Sequence, residues 1–265
     1  MNILGSMVLA GQIMAGTAAF QDVAWAGDTS GCRVQREGSR VELHSPLFVF
    51  RLDATAGLRA QWWENRLTGR KISLGSGPEL DFDIGLPESS LQTPQLEVSN
   101  VEVKARGEAG EVAFQLSAKE PAASAVVSYR WDAKQPVLRK FVTITNNSGK
   151  AWNRLLNVRL GSYRTEAKIM ERATGFPVYL NEEFFVSLAH PAGQTTGKDG
   201  QLRLCHYPGA PVAPGKPSSP DAAVRRILFA RPSPRHSGGI FADIRPSHAT
   251  FTCTRSSRTV RSGLR

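Results

Sequence analysis

Over about 65 residues ending at Leu160, apolar side chains recur with a period of two rather than 3.6, and turn residues punctuate them every 8 to 12 positions. Val112, Phe114 and Leu116 alternate with Ala113 and Gln115. Leu138, Val142 and Ile144 alternate with Arg139, Phe141 and Thr143, and Leu156, Val158 and Leu160 alternate with Asn157 and Arg159. Each such strand has one face to bury and one to wet, which an antiparallel sandwich satisfies. No segment carries a convincing amphipathic helix, and Thr165 to Arg172 offers two turns at most. The expectation is an all-β chain built as an antiparallel sandwich. At 265 residues there is enough chain for one such domain.

The strands before this run are shorter. Val41–Leu43 and Leu47–Leu52 flank Ser45-Pro46, and Gly57–Trp63 lies between turns at Ala56-Gly57 and Thr68-Gly69. Leu74 to Pro94 is rich in Gly, Pro and Ser, and its composition predicts a long loop. Leu96 and Val98 share a face from which Val101 and Val103 have slipped by one residue, so a bulge is expected near Ser99-Asn100. Gly107–Gly110 supplies a hairpin turn. Further on, Gln201–Tyr207 and Val224–Phe229 read as strands. Between them Pro208, Pro211, Pro214, Pro217 and Pro220 recur every third residue, a spacing suited to a polyproline-II connector that stays outside any sheet.

The ends read differently from the middle. Residues 1–26 have the apolar, small-residue texture of a secretory signal, closing on Ala24-Trp25-Ala26, although no Lys or Arg precedes Arg33. Export to the periplasm or cell exterior is the expectation, with a β-domain over 33–230. From Asp221 onward there are nine arginines, no lysine and two aspartates, so +7 of the net +10 sits in this segment. A nucleic-acid-binding face would mix lysine and aromatics into a folded surface, and the charge here does not. Residues 231–265 read as a basic Arg/Ser-rich tail, disordered or translated out of frame. No nucleic-acid partner and no membrane span are expected.

The chemistry-bearing residues cluster in Gly175–Gly193. Asn181, Glu182, Glu183 and His190 are its polar groups, and Phe176, Tyr179, Phe184 and Phe185 its anchors. Adjacent glutamates on a strand point to opposite faces and cannot flank one substrate. Trp62-Trp63 is the leading aromatic pair: one ring faces the core, and the other is a flat platform on which a sugar can stack. Trp62, Trp63, Asn181, Glu182, Glu183 and His190 are therefore the candidate sugar-binding residues, with no catalytic residue assigned. Cys32, Cys205 and Cys253 match no zinc spacing, and Cys205-His206 lacks further ligands, so neither metal nor cofactor is expected. Cys32–Cys205 could pair after export, or the three could be free thiols. Asn146-Asn147-Ser148 is a formal glycosylation sequon.

Two segments together resemble a known family. Gln135–Asn147, followed by the strand Leu155–Leu160, is similar to the core of galactose-mutarotase-like supersandwiches. Phe176–Pro191 resembles the strand and loop found where such a supersandwich precedes the catalytic barrel of melibiase-type, α-galactosidase-like glycoside hydrolases. The resemblance covers Arg40 to Phe229. It implies an all-β fold built as a large two-sheet antiparallel β-supersandwich, a carbohydrate-associated, non-catalytic domain lying N-terminal to a (β/α)₈ barrel that holds the catalytic aspartates, here in a chain truncated before that barrel. Mutarotases of the superfamily use a histidine acid and a glutamate base. Neither role transfers to a residue here, and Ala189 stands where many relatives have an acid. The alternatives are a mutarotase-like epimerase using His190 with Glu182 or Glu183, and a stand-alone carbohydrate-binding module using Trp62 or Trp63.

Overall fold

The computed structural model describes residues 31–230 except 88–89, 106, 172–176, 189–192 and 218–225. The expected signal segment, the basic tail, Phe176, His190 and Cys253 lie outside the described residues. Nineteen strands follow in order, and all of their pairings are antiparallel. They are β1 (Arg33–Glu37), β2 (Arg40–His44), β3 (Phe48–Asp53), β4 (Arg59–Asn65), β5 (Arg70–Pro78), β6 (Asp81–Gly85), β7 (Leu91–Gln92), β8 (Glu97–Val103), β9 (Ala109–Ala118) and β10 (Ala123–Asp132). Then come β11 (Gln135–Asn146), β12 (Trp152–Arg164), β13 (Ile169–Glu171), β14 (Val178–Leu180), β15 (Phe184–Leu188), β16 (Gly193–Lys198), β17 (Gln201–His206), β18 (Ala210–Val212) and β19 (Arg226–Ala230). There is no helix among the described residues.

β1 to β5 form a five-stranded meander. An eight-stranded sheet runs β13-β14-β15-β19-β11-β10-β9-β8, and a third runs β16-β17-β12-β6-β7 with β18 on β12. The meander and the third sheet meet where β5 passes β12. A Cβ added to Gly77 would lie 1.7 Å from the Ser162 carbonyl oxygen, so only glycine lets the two backbones come this close. Both sheets pack on the eight-stranded one. Phe50 of β3 meets Tyr129 of β10 with ring centroids 6.0 Å apart, and the Trp131 indole N–H donates to the His44 carbonyl at 2.9 Å. The layers of the sandwich are therefore two, and one of them is assembled from two sheets.

The alternating run folds as its pattern dictates: Val112, Phe114 and Leu116 of β9 and Leu138, Val142 and Ile144 of β11 are all buried. The slip near Ser99-Asn100 is a bulge, with the β8–β9 register shifting between Val98 and Asn100. Two expectations need correction. Leu74–Pro94 is not one long loop, because it contains the end of β5, all of β6 and β7. The glycines that made it look like a loop are there for the close approach to β12, and Phe82 and Ile84 of β6 are wholly buried. The proline-rich connector does enter a sheet: Ala210 and Val212 pair with Leu155 and Trp152, leaving Pro211 between them at an edge, where a missing N–H costs no ladder bond. Cys32 and Cys205 form no disulfide; both are buried free thiols.

Candidate functional site

Asn181, Glu182 and Glu183, from the polar cluster of the Gly175–Gly193 stretch, form a tight turn. Asn181 and Glu182 both have positive φ, 51° and 63°, and the Glu183 N–H donates back to the Leu180 carbonyl at 3.2 Å. Leu180 pairs with Phe184, so Asn181–Glu183 is the three-residue loop of the hairpin that joins β14 to β15. Asn181 is held further, since its side-chain oxygen accepts the Lys168 N–H at 2.7 Å. Glu182 points to solvent. Glu183 is 8% exposed and accepts the Thr68 hydroxyl at 2.8 Å, with the Arg70 guanidinium 3.3 Å from its other oxygen. The two glutamates thus part company, one wetted and one pinning this hairpin to the β4–β5 turn. Phe184 stacks 4.6 Å from Trp63 beneath that pin.

The tryptophans separate as strand alternation requires. Trp63 is 1% exposed and offers no surface to a ligand. Trp62 is half-buried on the other face, with Lys71 Nζ 3.6 Å from its ring centroid and the Arg51 guanidinium at 5.8 Å. A sugar stacking on that ring must first displace Lys71. Asn146 is fully buried, donating to the Lys150 and Val212 carbonyls at 2.9 and 3.0 Å, so the formal sequon is a structural plug rather than an attachment point. Cys205 and His206 are neighbours on β17, and the described residues contain no group of three or more side chains that could hold a metal ion.

Two charged constellations escape a pattern-based reading. In the first, Glu79, in the short link between β5 and β6, is fully buried with Lys140 of β11. One Glu79 carboxylate oxygen accepts Lys140 Nζ and the Tyr129 hydroxyl, and the other accepts the Tyr163 hydroxyl. Lys140 also donates to the Glu79 and Leu160 carbonyls. Lys140 shares the inward face with Leu138 and Val142, which was the available signal. An ion pair without water is tolerable only when the remaining lone pairs and protons are met, as they are here by two phenols and two carbonyls.

The second constellation begins two residues further on, at Asp81. Asp81 and Asp83 alternate with the buried Phe82 and Ile84, so both carboxylates leave the same face of β6. Arg159, opposite Asp81 on β12, donates through Nε to Asp81 and through Nη1 and Nη2 to Asp83 at 2.7 and 2.9 Å. Thr93 adds a hydroxyl to Asp83 at 2.7 Å. The two acids respond oppositely. The forked Arg159 bond holds Asp83 below the usual carboxylate range, whereas burial raises Asp81, outweighing the single N–H it receives. Bonding to Asp83 in turn raises the Arg159 guanidinium. Beside this group lies a cavity of about 230 Å³, bounded by the β3–β4 loop, the β5–β6 link and the β7–β8 link.

The fold has counterparts among solved structures. The likeness is to GH36 alpha-galactosidases. The alpha-galactosidase AgaB from Geobacillus stearothermophilus superposes with a TM-score of 0.51 at 10% identity, covering 74% of this chain and 40% of its own. The galactosidase domain of alpha-galactosidase-sucrose kinase, AgaSK, gives the same TM-score and identity over 75% of this chain and 41% of its own. The chain therefore spans about two-fifths of the length of these galactosidases. The fold agrees with the resemblance carried by Gln135–Asn147. No protein-family profile and no curated relative matches the sequence.

Proposed function

We propose that this chain is the non-catalytic, carbohydrate-associated β-sandwich of an exported glycoside-hydrolase-type protein, working beside a (β/α)₈ barrel that supplies the catalytic carboxylates. The reading is carried by the fold likeness to part of two alpha-galactosidases. The disposition of acids supports it. Glycoside hydrolysis needs two carboxylates facing each other across the scissile bond. Asp81 and Asp83 instead lie side by side on one strand with a guanidinium shared between them, and Glu79 is sealed in the core. Glu182 and Glu183 diverge at a turn.

The epimerase alternative requires a histidine free to exchange a proton. That histidine is His190, which lies outside the described residues, while its partners Glu182 and Glu183 diverge at the turn, one exposed and one bonded to Thr68 and Arg70. The test is threefold on the purified chain: release of nitrophenol from an aryl α-galactoside, mutarotation of aldohexoses in a coupled assay, and binding to a glycan array. The expected result is no turnover, no acceleration of mutarotation and retention of at least one glycan class. Turnover by the chain alone, or absence of any glycan binding, overturns the proposal.

A further inference from the structure

The geometry points to the cavity beside Asp81 as a binding pocket for a single neutral sugar ring. The inference rests on the carbohydrate-associated reading and names where that association occurs. Neither Trp62 nor the Asn181–Glu183 turn belongs to it.

The lining is of the mixed kind that small polar ligands use, apolar walls with a few placed hydrogen-bonding groups. Leu58, Pro78, Leu80, Pro94 and Leu96 form the walls. The polar groups are Asp81, Arg159, Thr93, Arg59 and Gln95. Three of these retain unused capacity. Asp81 gives one oxygen to Arg159, while its Oδ2 has no hydrogen-bond partner among the described residues. Arg59 spends Nε and Nη1 on the Ala56 and Ser76 carbonyls at 3.3 and 3.2 Å, which fixes the guanidinium and leaves Nη2 unspent. Gln95 is exposed and makes no side-chain hydrogen bond to the described residues. An acceptor, a fixed donor and an amide that is both together match neighbouring hydroxyls, each of which donates once and accepts twice.

Charge and size narrow the ligand. Asp81 and Asp83 balance Arg59 and Arg159, so the site has no net charge to neutralise and favours a neutral ligand over a uronate or a phosphorylated sugar. The volume of about 230 Å³ falls below the roughly 300–1,000 Å³ of drug-sized sites and would hold about seven or eight waters at ~30 Å³ each. That is room for one ring, with an attached chain leaving through the open side. Desolvation of Asp81, which already raises its proton affinity, strengthens a hydrogen bond from a ligand hydroxyl to its free oxygen.

The test is a ¹H–¹⁵N titration of the full chain with galactose, glucose and mannose, then with oligosaccharides containing them. A neutral hexose is expected to bind with a dissociation constant in the millimolar range, shifting the amides of Leu58, Gln95 and Leu96. Gln95→Ala and Arg59→Ala alter exposed side chains, so folding is retained, and each is expected to weaken binding about five- to tenfold, the worth of one hydrogen bond. A sugar that shifts amides elsewhere, or whose affinity ignores both substitutions, overturns the pocket and leaves the carbohydrate-associated reading standing. Spectra unchanged by every mono- and oligosaccharide overturn both.

Discussion

Glu79 and Asp81 are separated by one residue and face opposite fates. Glu79 turns into the sandwich, where it is fully buried against a lysine and two tyrosine hydroxyls. Asp81 turns outward to an arginine that it shares with Asp83, and keeps one oxygen for the cavity. Both are carboxylates bonded to a cation. What distinguishes them is whether every lone pair is already used. The inner group is complete and therefore structural. The outer one is incomplete, and incompleteness at the edge of a cavity is what a ligand can exploit.

Breaking the inner group has the largest expected effect. Lys140→Met leaves Glu79 as a buried, uncompensated charge, which costs about 3–5 kcal/mol. At 2–4 °C per kcal/mol for a domain of this size, that lowers Tm by about 10 °C in a thermal melt. Combining it with Glu79→Gln removes both charges and is expected to recover part of the loss. A double variant less stable than the single one would mean that the pair is not the unit described here. Arg159→Met tests the outer group by the same measurement. Its partners are part-exposed, so water replaces the lost donors and the expected cost is about 1 kcal/mol. An equal loss at the two positions would erase the contrast.

The smallest effect is the most specific. The Asp83 pKa is depressed from its ordinary 3.8, so Asp83 contributes stability above that value that disappears as pH falls through the folded pKa. Asp83→Asn is therefore expected to flatten the acid limb of a denaturation curve below about pH 4. Asp81 is raised, so the folded state holds its proton more tightly and Asp81 costs stability as pH rises through the interval above 3.8. Asp81→Asn should change the slope there in the opposite sense. Matching slopes for the two variants would show that Arg159 does not discriminate between them.

The sequence carried the fold further than it carried either group. β9 and β10 are legible because their alternation is strict and their core positions are apolar, whereas β11 seats Lys140 on its inward face and β12 shifts register between Leu155 and Val158. β6 was hidden by the composition around it: the signal of Phe82 and Ile84 alternating with two aspartates was diluted by Pro78 and by Gly75 and Gly77, the two glycines being there for contact with β12, more than 80 residues away in sequence. Lys140 stands on the inward face of a strand that reads correctly, but a lysine is presumed to be outside unless its partner is known. That partner, Glu79, is 61 residues distant, and nothing local joins them. The Asn181–Glu183 turn was visible as a polar cluster, while its positive φ values were not, because neither Asn nor Glu announces them as glycine would.

β19 lies in the middle of the eight-stranded sheet, bonded to β11 through Val137–Lys140 and to β15 through Phe184–Leu188, although it is the last described strand in the chain. It is the keystone of that sheet, and of the sheet's eight strands it is the last to be synthesised. Until residues 226–230 emerge, the nascent chain holds two ribbons with facing unsatisfied edges, one ending at β11 and the other at β15. At roughly 5–20 residues per second, the 80 residues between β11 and β19 keep the β11 edge open for several seconds. That is an interval in which a chaperone, or another chain's strand, competes for the same hydrogen bonds.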